Sequence, residues 1–471
     1  MDITEQQQDT PYPPRSKAVV VIAILMIVTC HSRLDQQFPA LLVKPIRAAF
    51  DISDTQISLF QGATFALMYA IAGPLFGRMV DRRNRRNLII AGILFWSGMT
   101  VWSGYTTSYA QLVIARMGVG VGEAVLSPAA YSLIADYVEP RIRGRAIGIF
   151  MASHAVGTGL SLMLGGLIVG KLSGQLSVAF PLLGHFAPWQ AAFVIVGLPG
   201  FLTALLMFLV REPARREDEG SAAARVARGE GSSEFWPYIR RHRVAFSCVV
   251  ISQVAIQFVG NAIVPWIPSA FQRSHGLSME MVGVVVGVEL IVASTIGFLL
   301  CGYLGDRWRA KGRPDARLAP VFVGEAIFIP AVIIWPLVSN VYVAFFFLGL
   351  QMIGHVTAIG TLPLVTQDIV PNRMRGQAVT VVLLLGTVLG WAVGPTVVAL
   401  FTDYVFHDDN ALPYSIICAT VPTALLAVVV AWAGRDAYIR MHNALHDPVP
   451  GDHALLCRAV TKPATGTAAL C

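Results

Sequence analysis

The stretch Gly77-Arg78-Met79-Val80-Asp81-Arg82-Arg83-Asn84-Arg85-Arg86 closes one long apolar run and opens the next. A shorter version, Gly302-Tyr303-Leu304-Gly305-Asp306-Arg307, follows another apolar run later in the chain. A second pair behaves alike: Arg141-Ile142-Arg143-Gly144-Arg145-Ala146 is echoed by Arg373-Met374-Arg375-Gly376-Gln377-Ala378. The offsets are 302−77 = 225 and 373−141 = 232, about half of the 471 residues. Two different motifs recurring at nearly one offset mark a chain built of two similar halves.

Composition says what the halves are made of. Hydrophobic residues make up 55% of the chain and charged residues 13%, against roughly 25% charged in soluble domains. Runs of about 20 apolar residues span a bilayer core as helices, and only helices or closed barrels satisfy the backbone there. The runs predict twelve helices, at 18–46, 55–79, 87–107, 109–137, 145–170, 189–211, 243–270, 280–303, 317–338, 340–367, 375–401 and 411–434. The expected fold class is an all-α membrane protein with two six-helix bundles. An even count per half gives both bundles the same orientation, related by a pseudo-two-fold axis along the membrane normal.

The formal charge of +7 suits nucleic-acid binding in a soluble chain. Its distribution here points to topology instead, and no nucleic-acid partner is expected. Arginines crowd the loops after helices 2, 4, 6, 8 and 10, whereas the alternate loops hold little beyond Lys44, Arg47, Lys171 and Arg273. Basic loops stay on the cytoplasmic side, so both termini are expected there, in a multi-pass protein of the cell inner membrane. Residues 1–17, with Asp2, Glu5, Asp9 and three prolines, make a poor signal leader and read as a cytoplasmic tail. The expected division is a bundle at 18–211, a polar linker at 212–242, a second bundle at 243–434 and a weakly patterned cytoplasmic tail at 435–471. Cys30, Cys248, Cys301, Cys418, Cys457 and Cys471 form no CxxC pair and read as small apolar residues.

The decad beginning at Gly77 resembles the loop signature of the major facilitator superfamily, G-x-x-x-D-R-x-G-R-R/K, with Asn84 at the second glycine. A narrower resemblance is to its spinster-like branch. It rests on Leu34-Asp35-Gln36-Gln37, Arg116-Met117-Gly118-Val119-Gly120-Val121-Gly122-Glu123, Ser127-Pro128-Ala129, Pro188-Trp189-Gln190 and Gly390-Trp391-Ala392-Val393-Gly394-Pro395. That branch usually carries Asp-Arg in helix 1, where this chain has Asp35-Gln36 and an arginine at Arg33 instead. The resemblance implies a major facilitator fold. It also implies a gating role for Gly77, Asp81, Arg82, Arg85 and Arg86, and for their counterparts Gly302, Asp306 and Arg307. Asp81 is expected to pair with arginine and with the N-terminus of helix 11, locking one side in one state.

Charges at bilayer depth cost roughly 2.5–3.5 kcal/mol each on insertion scales and mark function by default. The candidates are Arg33, Asp35, Arg116, Glu123, Glu289 and Glu325, with His31, His154 and His355 weaker. Arg116 and Glu123 lie two turns apart on one helix face, about 10 Å along the axis. Helix 1 runs the opposite way and brings Asp35 to a depth between them. Burial disfavours a charged carboxylate and a neighbouring arginine favours it, so an arginine moving between two acids ties protonation to conformation. Asp35 and Glu123 are therefore expected to be the protonatable pair and Arg116 their switchable counter-ion. The resemblance agrees, since spinster-like transporters use an acid in helix 1 and an Arg/Glu pair in helix 4. Arg33 and Glu289 are expected to join the substrate cavity.

No GxxxxGK[ST] loop, metal-ligand cluster or nucleophile–base motif appears in the sequence. The expectation is a secondary active transporter, not an enzyme. It would need no cofactor or metal, draw on a proton gradient, and act as a monomer by alternating access. Mostly apolar cavity helices with a few charges suit an amphipathic organic anion or a lipid-like small molecule. The alternatives are a drug or metabolite exporter of the same superfamily and a non-transporting receptor or scaffold.

Overall fold

The computed structural model describes residues 12–181, 184–215 and 232–446. Its long elements are α1 (Arg15–Leu41), α2 (Asp54–Arg82), α3 (Arg85–Ser103), α4 (Tyr109–Tyr137), α5 (Pro140–Leu172) and α6 (Pro188–Met207) in the first half. The second half has α7 (Arg243–His275), α8 (Met279–Arg309), α9 (Ala316–Ile334), α10 (Val341–Asp368), α11 (Arg375–Phe406) and α12 (Asp409–Ala433). Eleven of these are long and apolar enough to cross a membrane. The exception is α3, whose first turn is Arg85-Arg86-Asn87. Its 19 residues still reach about 28 Å at 1.5 Å per residue. Twelve helices in two sets of six are the architecture expected from the repeat.

The repeat extends to an ion pair that the motifs did not reveal. Arg85 at the start of α3 bonds Asp136 at the end of α4. Arg317 at the start of α9 bonds Asp368 at the end of α10. Both members are displaced by 232 residues (317−85 and 368−136). Arg85 is buried and also holds Glu212 at 2.7 Å and the Ser132 hydroxyl at 2.8 Å. Breaking such a buried pair costs about 3–5 kcal/mol, so Arg85 of the signature decad staples the arginine-rich end of its own bundle.

Several helices are interrupted along their length. α4 breaks at Ala124-Val125, directly after Glu123, and α10 breaks at Gly360-Thr361. Widened π turns replace regular helix at Leu59–Ala63 in α2 and Val388–Val393 in α11. Such turns recur at functional sites because they re-aim side chains. Gly62 and Trp391, one in each, pack backbone to backbone across the interface.

Among the described residues the halves pack together toward one end and separate toward the other. At the end away from the arginine-rich loops, one continuous apolar core runs through both, from Phe38, Phe60 and Leu162 to Trp266, Val286 and Val398. At the arginine-rich end the cores are separate, one around Ile93, Leu133 and Phe150 and another around Phe246, Val365 and Tyr438. The glycines show the same divide. A Cβ on Gly166 of α5 would stand 2.8 Å from the Met279 carbonyl and 2.9 Å from the Gly283 Cα of α8. Gly144 and Gly148 on α5, and Gly302 and Gly305 on α8, have open space within 4 Å.

Smaller elements depart from the expected tails and loops. Residues 435–446, read from sequence as weakly patterned, form the helix Arg435–His446. It is seated by the Tyr438 hydroxyl, which donates to Asp368 at 2.7 Å. The helix Ser232–Arg241 occupies the end of the expected linker and tucks Phe235 against Phe246. Most of that linker, 216–231, lies outside the described residues, as do Cys457 and Cys471. A hairpin of Val178–Phe180 and Gly184–Phe186 caps the opposite end.

Candidate functional site

The site is built from α1, α2, α4 and α5 of the first half and the π turn of α11. Helical spacing on α1 puts Ser32 and Gln36 on the face toward α4, while the Asp35 side chain faces α3. Glu123, the last helical residue before the α4 break, points back at Ser32 and Gln36. Its Oε2 accepts hydrogen bonds from the Ser32 hydroxyl at 2.8 Å and from the Gln36 amide. Its Oε1 is buried without a partner. Glu123 is 1% exposed and Asp35 3%.

Asp35 is separate from that network. Neither carboxylate oxygen has a hydrogen-bond partner, and the nearest charged-capable group is His31, whose Nδ1 lies 3.8 Å from Oδ2. Trp96 and Thr100 of α3 flank it. The other His31 nitrogen meets the Val196 carbonyl at 3.3 Å, which ties the ring to α6.

Arg116 does not sit between the two acids as a salt-bridge partner. Its Nη1 donates to the Asp35 carbonyl at 2.8 Å, and its Nη2 to the carbonyls of Gln36 at 2.8 Å and Gln61 at 3.4 Å. Phe60 and Phe65 cover its faces. The π turn in α2 and the end of α1 offer carbonyls that are nearer than either carboxylate. The expected trio is thus brought into one pocket, but in this state the guanidinium is held by backbone.

Arg33 belongs to the same pocket on a different face. It reaches Gln36 Oε1 at 2.7 Å and His154 Nδ1 of α5 at 2.6 Å, and it lies 5.6 Å over the Trp391 ring. Gln36 therefore links Arg33 to Glu123. Sequence reading marked Gln36 only as a departure from Asp-Arg; the structure shows it as the bridge. A cavity of about 40 Å³, lined by Gln36, Gln61, Arg116, Asn261 and Trp391, adjoins the trio between the halves. It has room for a few waters.

Glu289 and Glu325 are not gathered here. Glu289 is half-buried on α8 and Glu325 is buried within the second bundle on α9; each has an unpartnered Oε2. At the α10 break the second half places Thr361, which accepts from Gln253 at 3.2 Å. A hydroxyl and an amide stand there, whereas the first half has a carboxylate at its own break. His355, against Phe328 and Gly260, is packed in the second bundle.

The gating residues of the sequence stand apart from the second bundle. Gly77 and Gly302 meet nothing, and Asp81 and Asp306 are exposed. Asp81 takes Arg215 on its backbone carbonyl, while Arg307 reaches Tyr303. Arg82 is exposed, and the Arg86 amide binds Glu212 at 3.0 Å. The expected contact of Asp81 with α11 is not made in this state, in keeping with separated cores at this end.

A lock is present at the other end, and sequence reading missed it. Asp54, fully buried, takes Arg273 of the second half through two bonds of 2.6 and 2.7 Å and Arg47 of its own half at 3.0 Å. Arg47 also reaches Asp409 at 2.7 Å, and Asp403 accepts the Thr55 amide at 2.7 Å. Asp54, Asp403 and Asp409 cluster closely enough to suggest a cation site, but arginines and the Thr55 donors answer their oxygens. The available signal was the scarcity of charge in these loops: Arg47 and Arg273 are among their few basic residues.

Comparison with known proteins agrees with this architecture. An MFS-type efflux pump of Mycolicibacterium smegmatis is 27% identical over 427 residues, covering 90% of this chain and 94% of the pump. Protein spinster homolog 1 of Rattus norvegicus is 25% identical, covering 94% of this chain and 87% of its own. A crystal structure of a bacterial homolog of the human lysosomal transporter Spinster, inward-facing and unoccupied, superposes with a TM-score of 0.72. It is 24% identical and covers 92% of this chain and 98% of that one. The family model described as Major Facilitator Superfamily matches residues 25–436, and the chain belongs to that superfamily of transporters, among relatives of spinster type.

Proposed function

We propose that this transporter is a proton-coupled secondary carrier of an amphipathic organic or lipid-like small molecule, working by alternating access as a monomer. The arginine-rich end is the cytoplasmic one, with both termini there, so the present state faces inward in the cell inner membrane. The observation that carries the reading is Glu123. It is a carboxylate sealed in the first bundle, half satisfied, beside an interface closed at one end only. Burying an ionised carboxylate without full partnership is costly, so such a group exchanges its proton when its surroundings rearrange. Asp35, buried beside Trp96 and Thr100 with no arginine on its carboxylate, is the second proton site. Arg116 has nearby carbonyls to release when it turns to either acid.

Efflux of small molecules is supported as the direction by the similarity to the mycobacterial pump. The spinster relatives support a lipid-like cargo; one of them, from Xenopus tropicalis, is named a sphingosine-1-phosphate transporter. The test is flux in proteoliposomes under an imposed pH gradient, with a panel of lysolipids and organic acids. Wild-type protein should accumulate a cargo when the gradient is applied. Glu123→Gln and Asp35→Asn should exchange cargo without responding to the gradient. Gradient-driven accumulation retained in both variants would refute the assignment.

A further inference from the structure

The internal repeat allows one half to be compared with the other at the arginine-rich end. In the first half Arg85 bonds Asp136 and the Ser132 carbonyl, the latter at 3.2 Å. In the second half Arg317 bonds Asp368 and the Leu364 carbonyl, again at 3.2 Å. Ser132 and Leu364 are themselves 232 residues apart (364−132). The first half then adds another anion. Glu212, in the segment after α6, gives one carboxylate oxygen to Arg85 Nε at 2.7 Å and the other to the Arg86 amide at 3.0 Å.

Among the described residues, no carboxylate plays that part in the second half. The segment after α12 is the helix Arg435–His446, which brings the Tyr438 hydroxyl to Asp368 and an apolar Leu445. Arg317 uses one terminal nitrogen for both of its bonds, and its Nε meets no acceptor among the described residues. Beside it lies a cleft of about 610 Å³, lined also by Leu364, Gln367, Asn372, Arg375 and Leu445. That is within the roughly 300–1,000 Å³ of small-molecule sites. Arg375 spends its Nε on the Gln367 carbonyl at 3.1 Å, and its two terminal nitrogens meet no acceptor among the described residues. Two half-buried guanidiniums therefore face one carboxylate. That carboxylate, Asp368, is already shared by Arg317, Tyr438 and, at 3.8 Å, His442. The nearby Asp315 is taken by Arg313 and Arg435.

We propose that this cleft binds a phosphate-bearing oxyanion, which does at Arg317 what Glu212 does at Arg85 and reaches Arg375 on its other side. Guanidinium forks match phosphate oxygens in pairs, and basic pockets between helices at the cytoplasmic side receive phospholipid head groups. The bound anion would join the start of α9 to the start of α11, beside the C-terminal helix, as Glu212 joins the start of α3 to the segment after α6. An anionic lipid and a soluble phosphate offer the same chemistry here. The cleft shares no residue with the cavity beside Glu123, so its occupancy is independent of proton coupling.

Full-length protein is melted in phosphatidylcholine nanodiscs while inorganic phosphate is titrated against sodium chloride of equal ionic strength. A parallel series replaces phosphatidylcholine stepwise with phosphatidylglycerol. A ligand that binds only the folded state raises the melting temperature as its site fills. Wild type should be stabilised beyond the chloride or phosphatidylcholine control by at least one probe. Arg375→Gln should move the response about ten- to hundredfold higher in ligand, the loss of a charge-assisted contact, and Arg375→Lys should recover part of it. Leu445→Glu supplies a carboxylate from within the chain, and it should melt higher than wild type without ligand and gain nothing from either probe. It leaves both arginines in place, so its result stands even where Arg375→Gln misfolds. A response to inorganic phosphate in neutral discs identifies a soluble ligand, and a response to phosphatidylglycerol alone identifies a lipid head group. No stabilisation of wild type by either probe, or an undiminished response in Leu445→Glu or in folded Arg375→Gln, overturns the proposal.

Discussion

Replacing Asp54 by asparagine should tip the protein out of the state described here. Asp54 holds Arg273 across the halves through bonds of 2.6 and 2.7 Å. The carboxylate is fully buried and the arginine side chain 14% exposed, so solvent screens the pair weakly. Arg47 stays with Asp54 when the halves part, because both lie in the first half, so the Arg47–Asp54 pair contributes nothing to the difference between states. The differential loss is therefore the Arg273 pair. Hydrogen bonds to charged groups contribute about 1.5–3 kcal/mol, and 1.4 kcal/mol is a factor of ten. The ratio of the two states should shift about ten- to hundredfold toward opening at this end. Arg47→Gln should do less, under about 1 kcal/mol, since its cross-half partner Asp409 is half exposed. The readout is the distance distribution between spin labels at Gln175 and Tyr342, exposed positions at this end in the two halves, on a cysteine-free background. Asp54→Asn should add a longer-distance population. Distributions unchanged in both Asp54→Asn and Arg273→Gln would refute the lock.

Further outcomes follow from the same geometry. Gly166→Val should favour the same longer-distance population by about 1–3 kcal/mol of overpacking, because its Cβ would press on Met279 and Gly283. Gly302→Leu, in open space here, should be tolerated in this state and hinder closure of the arginine-rich end, leaving the short distance dominant. At the loop before α9, burial would push the Asp315 carboxyl up, but the bonds and charges of Arg313 and Arg435 outweigh it and hold it below its usual range. A depressed value stabilises the fold above the unfolded-state value, about 4, and that stability is lost as pH falls through the folded value. Melting temperature in detergent should accordingly drop more steeply below about pH 4 in wild type than in Asp315→Asn.

Much of the fold was legible because hydropathy and arginine placement are local signals. The duplicated motifs gave two parallel bundles, and the embedded charges led to Asp35, Arg116 and Glu123 before any contact was known. What stayed hidden depends on distances between segments far apart in sequence. The carbonyls that capture Arg116 come from the end of α1 and the π turn of α2, and helical spacing cannot announce a widened turn. Gln36 looked like a missing arginine, yet it joins Arg33 to Glu123 because an amide donates and accepts at once. The lock at Asp54 was overlooked because its members lie at helix ends, where isolated charges carry no periodicity. The gating decad divides in the structure: Arg85 is a buried staple, while Asp81 is exposed.

On the proposed function, a proton on Glu123 governs which end is open. The direct measurement is the Gln175–Tyr342 distance distribution of the wild-type protein and of Glu123→Gln in nanodiscs, recorded across acid to alkaline pH without cargo. The wild-type populations should redistribute with pH, and Glu123→Gln should hold one distribution throughout. A pH-driven redistribution of the same size in Glu123→Gln as in wild type would contradict it.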